Sequence, residues 1–256
     1  MRCGSVCLGV VALTSGCMAD SGDESILVYK NVHAGEHCTT TAALGETGWS
    51  HGGLDLLLPS AYVFVAQLKS RLTAGDGEDD QRTIFTSGAN IDIAFSGSDL
   101  FSDAELADLK AAGLTHYKDT FFAPIAPNNG VTDVPFQLIP EPLVEKIAAK
   151  ADLSTRFRLE AQATFTVVGT MSGVEVSSQP FLYAVTIGNG VTVNVVGACS
   201  ALASGFSAVN PGYSCNPAQD GVVDCCTGPG GLVCPAVSSA ASSAALRAAL
   251  RASLRP

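Results

Sequence analysis

Residues 157–167, with the sequence FRLEAQATFTV, decide the fold. Apolar and polar residues alternate through this run, which is the period of a strand with one buried face. The residues TMSG at 170–173 then lead into VEV at 174–176 and into FLYAVTI at 181–187. The stretch predicts a long antiparallel hairpin. A third apolar run, 191–196, follows it and leads directly to a group of cysteines.

Outward from the hairpin, strand-like runs recur, and only two short helices are predicted. The strands fall at 26–32, 62–68, 89–95 and 134–139. Ser102 and Glu105 form a capping-box pattern for one helix, with Gly113 where a helix C-terminal glycine belongs. A second helix is indicated by one apolar face of Leu143, Val144, Ile147, Ala148 and Ala151. This pattern predicts a mainly β fold, an immunoglobulin-like antiparallel β-sandwich with two short inserted helices and a disulfide-rich C-terminal segment.

Charge is scarce and unevenly distributed. The 256 residues are 47% hydrophobic and 15% charged, with a net charge of −10, and no Lys or Arg occurs from Leu159 to Leu246. Duplex nucleic acid is therefore excluded as an expected partner, because its binding depends on Lys and Arg neutralising phosphates. We interpret the anionic residues as an ordinary solvent-exposed surface. The alternative interpretation is an acidic binding face.

The N-terminus reads as an export signal. Met1-Arg2 and the apolar residues that follow have the layout of a signal peptide, and the run is too short to span a bilayer. Leu13-Thr14-Ser15-Gly16-Cys17 is similar to a lipobox, which predicts lipid attachment at Cys17. The alternative is an ordinary secretory signal, which would give a soluble secreted adhesin-like protein.

Cysteine positions predict a covalent framework. Apart from the cysteines of the signal peptide and the lipid site, six remain: Cys38, Cys199, Cys215, Cys225, Cys226 and Cys234. An even number of cysteines in an exported chain indicates that they pair, here in three disulfides. Cys38 must then pair with the C-terminal group. Without a strained bond between the adjacent Cys225 and Cys226, about twelve of the fifteen connectivities remain open. The alternative, a zinc site, lacks a His and the paired C-x2-C spacing.

One motif raises the possibility of catalysis. His33, Glu36 and His37 fit the H-x-x-E-H pattern of zinc metallopeptidases, with Glu105 as a conceivable third ligand. The motif must lie on a helix for its two His to share a face, whereas here a β-like run precedes it and a glycine interrupts it. A surface loop is the expected structure, with the zinc hydrolase as the alternative function. We predict no catalytic residue and no cofactor.

Two further segments each allow a purely structural interpretation and a functional one. The acidic residues between Asp76 and Asp80 are read as a solvated turn, with a calcium loop as the alternative. In the tail, Leu and Arg each recur every four residues from Leu246, which would give an apolar and a basic stripe on a helix. A dispensable extension is preferred over contact with a membrane. Asp220 and Asp224 are read as turn formers.

The predicted organisation has five parts. Residues 1–16 form the signal peptide, 17–25 the lipidated Cys and a flexible tether, and 26–198 the β-sandwich. Residues 199–235 form a Cys-rich segment packed on the sandwich, and 236–256 a low-complexity tail with helical periodicity.

The chain also resembles a group of uncharacterised envelope lipoproteins of myxobacterial type. The resemblance is carried by Gly16-Cys17, Cys38, Gly88 to Ile93, the hairpin and Gln219 to Cys226. It implies a lipid-anchored protein of the Gram-negative cell envelope, expected at the outer membrane, and it brings no established activity. The expected function is that of a non-catalytic binding or structural module. Its expected contacts are the membrane, through the lipid, and an envelope protein or glycan.

Overall fold

The computed structural model describes residues 25–35, 38–40, 42, 45, 47–72, 82–96, 99–201, 210–213 and 215–234. The predicted signal peptide, Cys17, the tether before Ser25 and the tail after residue 235 lie outside these residues. So do the acidic residues 76–80. Within the described part of the chain, no helix is long and apolar enough to cross a membrane.

Fourteen strands and two α-helices follow one another along the described residues. In chain order they are β1 Ile26–Val32, β2 Gly48–Trp49, β3 Gly52–Asp55, β4 Tyr62–Ser70, β5 Ile84–Ser96, α1 Asp103–Ala111, β6 His116–Asp119, β7 Pro124–Ile125, β8 Val131–Ile139, α2 Glu141–Lys150, β9 Arg158–Met171, β10 Val174–Ser177, β11 Phe181–Gly188, β12 Val193–Ala198, β13 Val223–Gly228 and β14 Gly231–Val233.

The strands form three sheets. Sheet I has the order β2-β1-β4-β8, and sheet II has the order β3-β11-β9-β5-β6 with β10 beside β9 and β7 beside β5. Sheet III has the order β12-β13-β14, and its middle strand, β13, contains Cys225 and Cys226. Sheets I and II face each other and enclose the main core, to which side chains from both contribute.

The predicted hairpin is the centre of sheet II. Ser172 and Gly173 connect β9 to β10 with positive φ angles of 50° and 82°, which is the conformation of a two-residue type I′ turn. β9 then pairs with β11 on one side and with β5 on the other, both antiparallel. Its alternate residues from Leu159 to Val167 are buried, as the period-2 pattern predicts.

Aromatic rings fill the space between the two sheets. Phe64 of β4 is fully buried, and its ring centroid lies 5.1 Å from that of Phe165 on β9 and 4.9 Å from that of Tyr183 on β11. Both contacts are edge-on, which is a favourable arrangement for aromatic pairs. Phe136 of β8 completes the cluster at 5.5 Å from Phe64.

Both helices are present where the sequence predicts them, and α1 also has the predicted ends. Ser102 and Glu105 form the capping box at the start of α1. At its end, the amides of Gly113 and Leu114 donate to the carbonyls of Lys110 and Leu109, which is a Schellman motif. α2 buries Leu143, Val144 and Ile147 in the main core.

The predicted fold class is confirmed: the chain is a mainly β sandwich with two short helices and a disulfide-bonded C-terminal region. Two pairings differ from an all-antiparallel sandwich, because β3 runs parallel to β11 and β12 runs parallel to β13. From the sequence, strand β12 was expected to belong to the sandwich. In the structure it pairs with β13 of the C-terminal segment instead.

Candidate functional site

Polar side chains fill the interface between the sandwich and residues 210–234. We call this interface the seam. The Tyr62 hydroxyl donates to the Asp220 carboxyl, whose two oxygens lie 3.0 and 2.9 Å away. The Gly53 amide donates to the same carboxyl at 2.9 Å, and the Gln219 side-chain amide does so at 3.0 Å. Gly52 makes room for the ring, because a Cβ at that position would lie 2.5 Å from the Tyr62 oxygen. The carboxyl therefore joins three separate parts of the chain.

The network continues into the sandwich. The hydroxyls of Tyr62 and Tyr183 lie 3.1 Å apart, and the Asn31 side-chain amide contacts both oxygens, at 3.2 and 3.0 Å. The Asn31 carbonyl oxygen accepts from the Val65 amide at 3.0 Å. Three strands of the two sheets and the C-terminal segment thus share one buried hydrogen-bonded group.

Burial changes the acidity of these groups. It raises the pKa of Asp220 to about 6, although the hydrogen bonds from Gly53, Gln219 and Tyr62 act in the opposite direction. Burial and the neighbouring Asp220 carboxylate raise the pKa of Tyr62 well above its usual value. A carboxyl that titrates near neutral pH is a candidate for acid–base chemistry. Here both of its oxygens already accept hydrogen bonds from the protein. Its role is therefore to connect the C-terminal segment to the sandwich.

Asp55 belongs to a second part of the seam, where its backbone amide donates to the Ala218 carbonyl at 3.0 Å. It is fully buried, and its Oδ2 accepts the amides of Val191, Thr192 and Val193 at 2.7, 3.0 and 2.9 Å. Its Oδ1 accepts the Leu57 amide at 3.0 Å. One side chain at the end of β3 thereby fixes the backbone that leads into β12, and it directs this strand away from sheet II.

The six cysteines are paired in three disulfides, and disulfide bonding is thereby confirmed. Cys38–Cys215 joins positions 177 residues apart and ties the connection after β1 to the C-terminal segment. The other two bridges, Cys199–Cys226 and Cys225–Cys234, lie within that segment. Because every one of these thiols is in a disulfide, they cannot form the zinc site that was the alternative.

The H-x-x-E-H motif is only partly described. His33 lies in the connection after β1, outside any helix, with its ring centroid 4.7 Å from that of Trp49 and 5.6 Å from that of Tyr213. Glu36 and His37 are outside the described residues. Glu105, the conceivable third ligand, caps α1 and pairs with Lys150 of α2. Among the described residues, no group of three or more His, Cys, Asp or Glu is placed to hold a metal ion.

The solvent-facing side of sheet II, which we call the outer face, is a broad open surface. Gln162 of β9 lies at its centre, directly between Ala184 of β11 and Ala94 of β5. Gln162 and Ala94 are exposed, and Ala184 is half-buried. Because the two alanines are short, the longer Gln162 side chain stands between two low positions of the row. We call this row the trough, and the Gln162 amide with its two flanking alanines forms the floor of the trough.

A hydrogen-bonded cluster bounds the trough on one side. The Thr186 hydroxyl donates to Glu160 at 2.9 Å, and Nε2 of His51 lies 2.8 Å from the Thr186 oxygen. Nδ1 of His51 is 3.6 Å from the Glu160 carboxyl. The His51 side chain is 48% exposed and that of Glu160 is 29% exposed, so solvent reaches both polar groups.

A second imidazole–carboxyl pair bounds the trough on the other side. Asp92 of β5 and His116 of β6 are directly opposite each other and hydrogen-bonded, and both are more than half exposed. Thr164 and the exposed Leu182 continue the same row across β9 and β11. Glu160 and Thr164 are four residues apart on one strand, so the two boundaries are separated by about 13 Å.

Sequence reasoning missed both the seam and the outer face. Asp220 has the positive φ of 59° that suits a turn former, yet its carboxyl is enclosed and bonded to Tyr62. Asp224, also read as a turn former, is buried and bonds to Asn194 and Asn210. The polar half of the period-2 pattern in residues 158–166 was the available signal for the outer face. It predicts that a polar face exists but not which strands lie beside it.

Comparison with known proteins adds little to this description. No family model matches the chain, and no curated protein matches it. Among solved structures, it is similar to a protein from Archaeoglobus fulgidus with 13% sequence identity. The match covers 51% of this chain and 86% of that one, with a TM-score of 0.31. A likeness this weak carries no argument about fold or function.

Proposed function

We propose that this protein is a non-catalytic module of the bacterial cell envelope, anchored by lipid at Cys17, that binds an envelope component through the outer face. The observation that carries the proposal is the set of three disulfides. Such bonds form and persist in oxidising compartments outside the cytoplasm. The lipobox-like sequence at 13–17 supports anchoring in that compartment.

The outer face supports the binding role. The buried carboxyls of the seam, Asp55 and Asp220, already accept hydrogen bonds from backbone amides and side chains of the protein. On the outer face, by contrast, amide, hydroxyl, carboxyl and imidazole groups are grouped where a partner can reach them. A rigid sheet that presents such groups suits recognition, because their positions are fixed before a partner arrives.

Lipid labelling tests the anchor. In cells supplied with radiolabelled palmitate, the wild-type protein is expected to carry label and to sediment with membranes. Cys17→Ala is expected to lose the label and to appear in the soluble fraction. Cys7→Ala, which changes a cysteine inside the predicted signal peptide, is the matched control and should behave as wild type. Label retained by Cys17→Ala would contradict the anchor.

A further inference from the structure

We infer that the trough of the outer face binds an uncharged glycan, by hydrogen bonds to its hydroxyl groups. This inference rests on the proposed function and names the ligand class of the same surface. The trough offers both kinds of hydrogen-bonding group within a small area. The Gln162 amide donates and accepts, the Glu160 and Asp92 carboxylates accept, and imidazole does either according to its tautomer.

The arrangement of these groups suits neighbouring hydroxyls on a sugar ring. A carboxylate has two acceptor oxygens and an amide has a donor and an acceptor side by side, so each can contact two adjacent hydroxyls at once. Glu160 is held in place by Thr186, and Asp92 by its contact with His116. Groups that are already oriented lose little conformational freedom on binding.

The trough also offers an apolar contact. Leu182 is 64% exposed and lies in the row that contains Thr164 and Asp92. A sugar ring has polar edges and a face of C–H groups, and burying that face against Leu182 removes apolar area from water. A polar floor with one exposed apolar side chain at its border therefore matches an amphipathic ring better than a fully polar ligand.

Charge favours an uncharged glycan over an anionic one. The chain has a net charge of −10, and the rows that form the trough and its two borders contain no Lys or Arg. The two cations of this face, Arg158 and Lys118, lie in the next rows beyond those borders. An anionic polymer would be repelled by this field. On the outer face itself, each of the carboxyls Glu160 and Asp92 is beside an imidazole.

Affinity electrophoresis tests the inference with the full chain, extracted from membranes in a non-ionic detergent that has no sugar headgroup. The probes are gels containing a glucan, a mannan or a galactan, with a galacturonan as the anionic comparison. At least one uncharged polysaccharide is expected to retard the wild-type protein. Gln162→Ala removes the floor amide and should weaken retardation about tenfold, and Ala184→Arg fills the trough and should abolish it.

Thr170→Ala is the matched control, since Thr170 is exposed on the same strand but lies at its far end, opposite Phe85. It should be retarded as wild type. Three results would overturn the inference: no retardation by any uncharged polysaccharide, equal retardation of all four proteins, or stronger retardation by the galacturonan. If the protein carries palmitate and cross-links to an envelope protein but is not retarded in the gels, the proposed function is supported and the glycan inference is rejected.

Discussion

The space between sheets I and II and the seam hold this molecule together in different ways. Between the sheets, Phe64, Phe136 and Phe165 pack ring against ring, and the stabilisation comes from apolar area removed from water. In the seam, Asp220 and Asp55 gather hydrogen-bond donors from distant parts of the chain, and a disulfide crosses nearby.

The difference lies in how strictly each region specifies its partners. An apolar core tolerates substitutions of similar volume, because its contacts are not directional. A buried carboxyl stabilises the structure only while its donors are present, and an unmatched one is costly. The structure of the sandwich therefore depends on the pattern of apolar and polar residues. The structure of the seam depends on a few individual residues that determine how the C-terminal segment is attached.

The largest effect is expected in the core. Phe64→Ala removes a fully buried ring and should lower the free energy of unfolding by about 4 kcal/mol, because the cavity cannot close completely. Chemical denaturation measures this loss. Phe122→Ala is the control, since its ring is 70% exposed and stacks only on the surface with Phe85, and it should cost less than about 1 kcal/mol. Equal losses would show that the rings between the sheets do not dominate the core.

The disulfide across the seam comes next. Replacing Cys38 and Cys215 together by Ala opens a loop of 177 residues and removes a restriction on the unfolded chain. The loss of stability should be about 3 kcal/mol, the typical measured value for a disulfide, which is below the roughly 5 kcal/mol that the chain-entropy relation gives for so long a loop. The denaturant m-value should rise as well, because the unbridged chain exposes more surface on unfolding. A loss of stability with an unchanged m-value would instead indicate that the bridge acts within the folded seam.

Most of the sandwich could be predicted from the sequence, because its signals are local. Alternation from Phe157 to Val167 identified β9, and the capping box at Ser102 identified the start of α1. These elements need only their own residues and a buried side to face. The fold class followed from their number and order.

The seam could not be predicted, because its contacts join residues far apart in the chain. Asp220 and Tyr62 are separated by 158 positions, and nothing beside either residue indicates the other. The cysteine pattern required a bridge from Cys38 to the C-terminal group but left its partner open. The outer face has the same limitation: Gln162 is visible as polar, while its two alanine neighbours depend on strand order.

The smallest effect is expected from pH, and it separates the seam from the core most cleanly. The pKa of Asp220 is raised to about 6, against roughly 3.9 in an unfolded chain, so folding favours the protonated carboxyl. Its contribution is fully present below the unfolded pKa and is lost as the pH rises through about 6. The loss should amount to about 2 kcal/mol, reduced from the full linkage value because the side chain is not wholly shielded from water. Denaturation at several pH values between 4 and 7 measures it, and Asp220→Asn, which cannot ionise, should flatten the curve. Parallel curves for the two proteins would show that Asp220 does not titrate in this range and that the seam tolerates its charge.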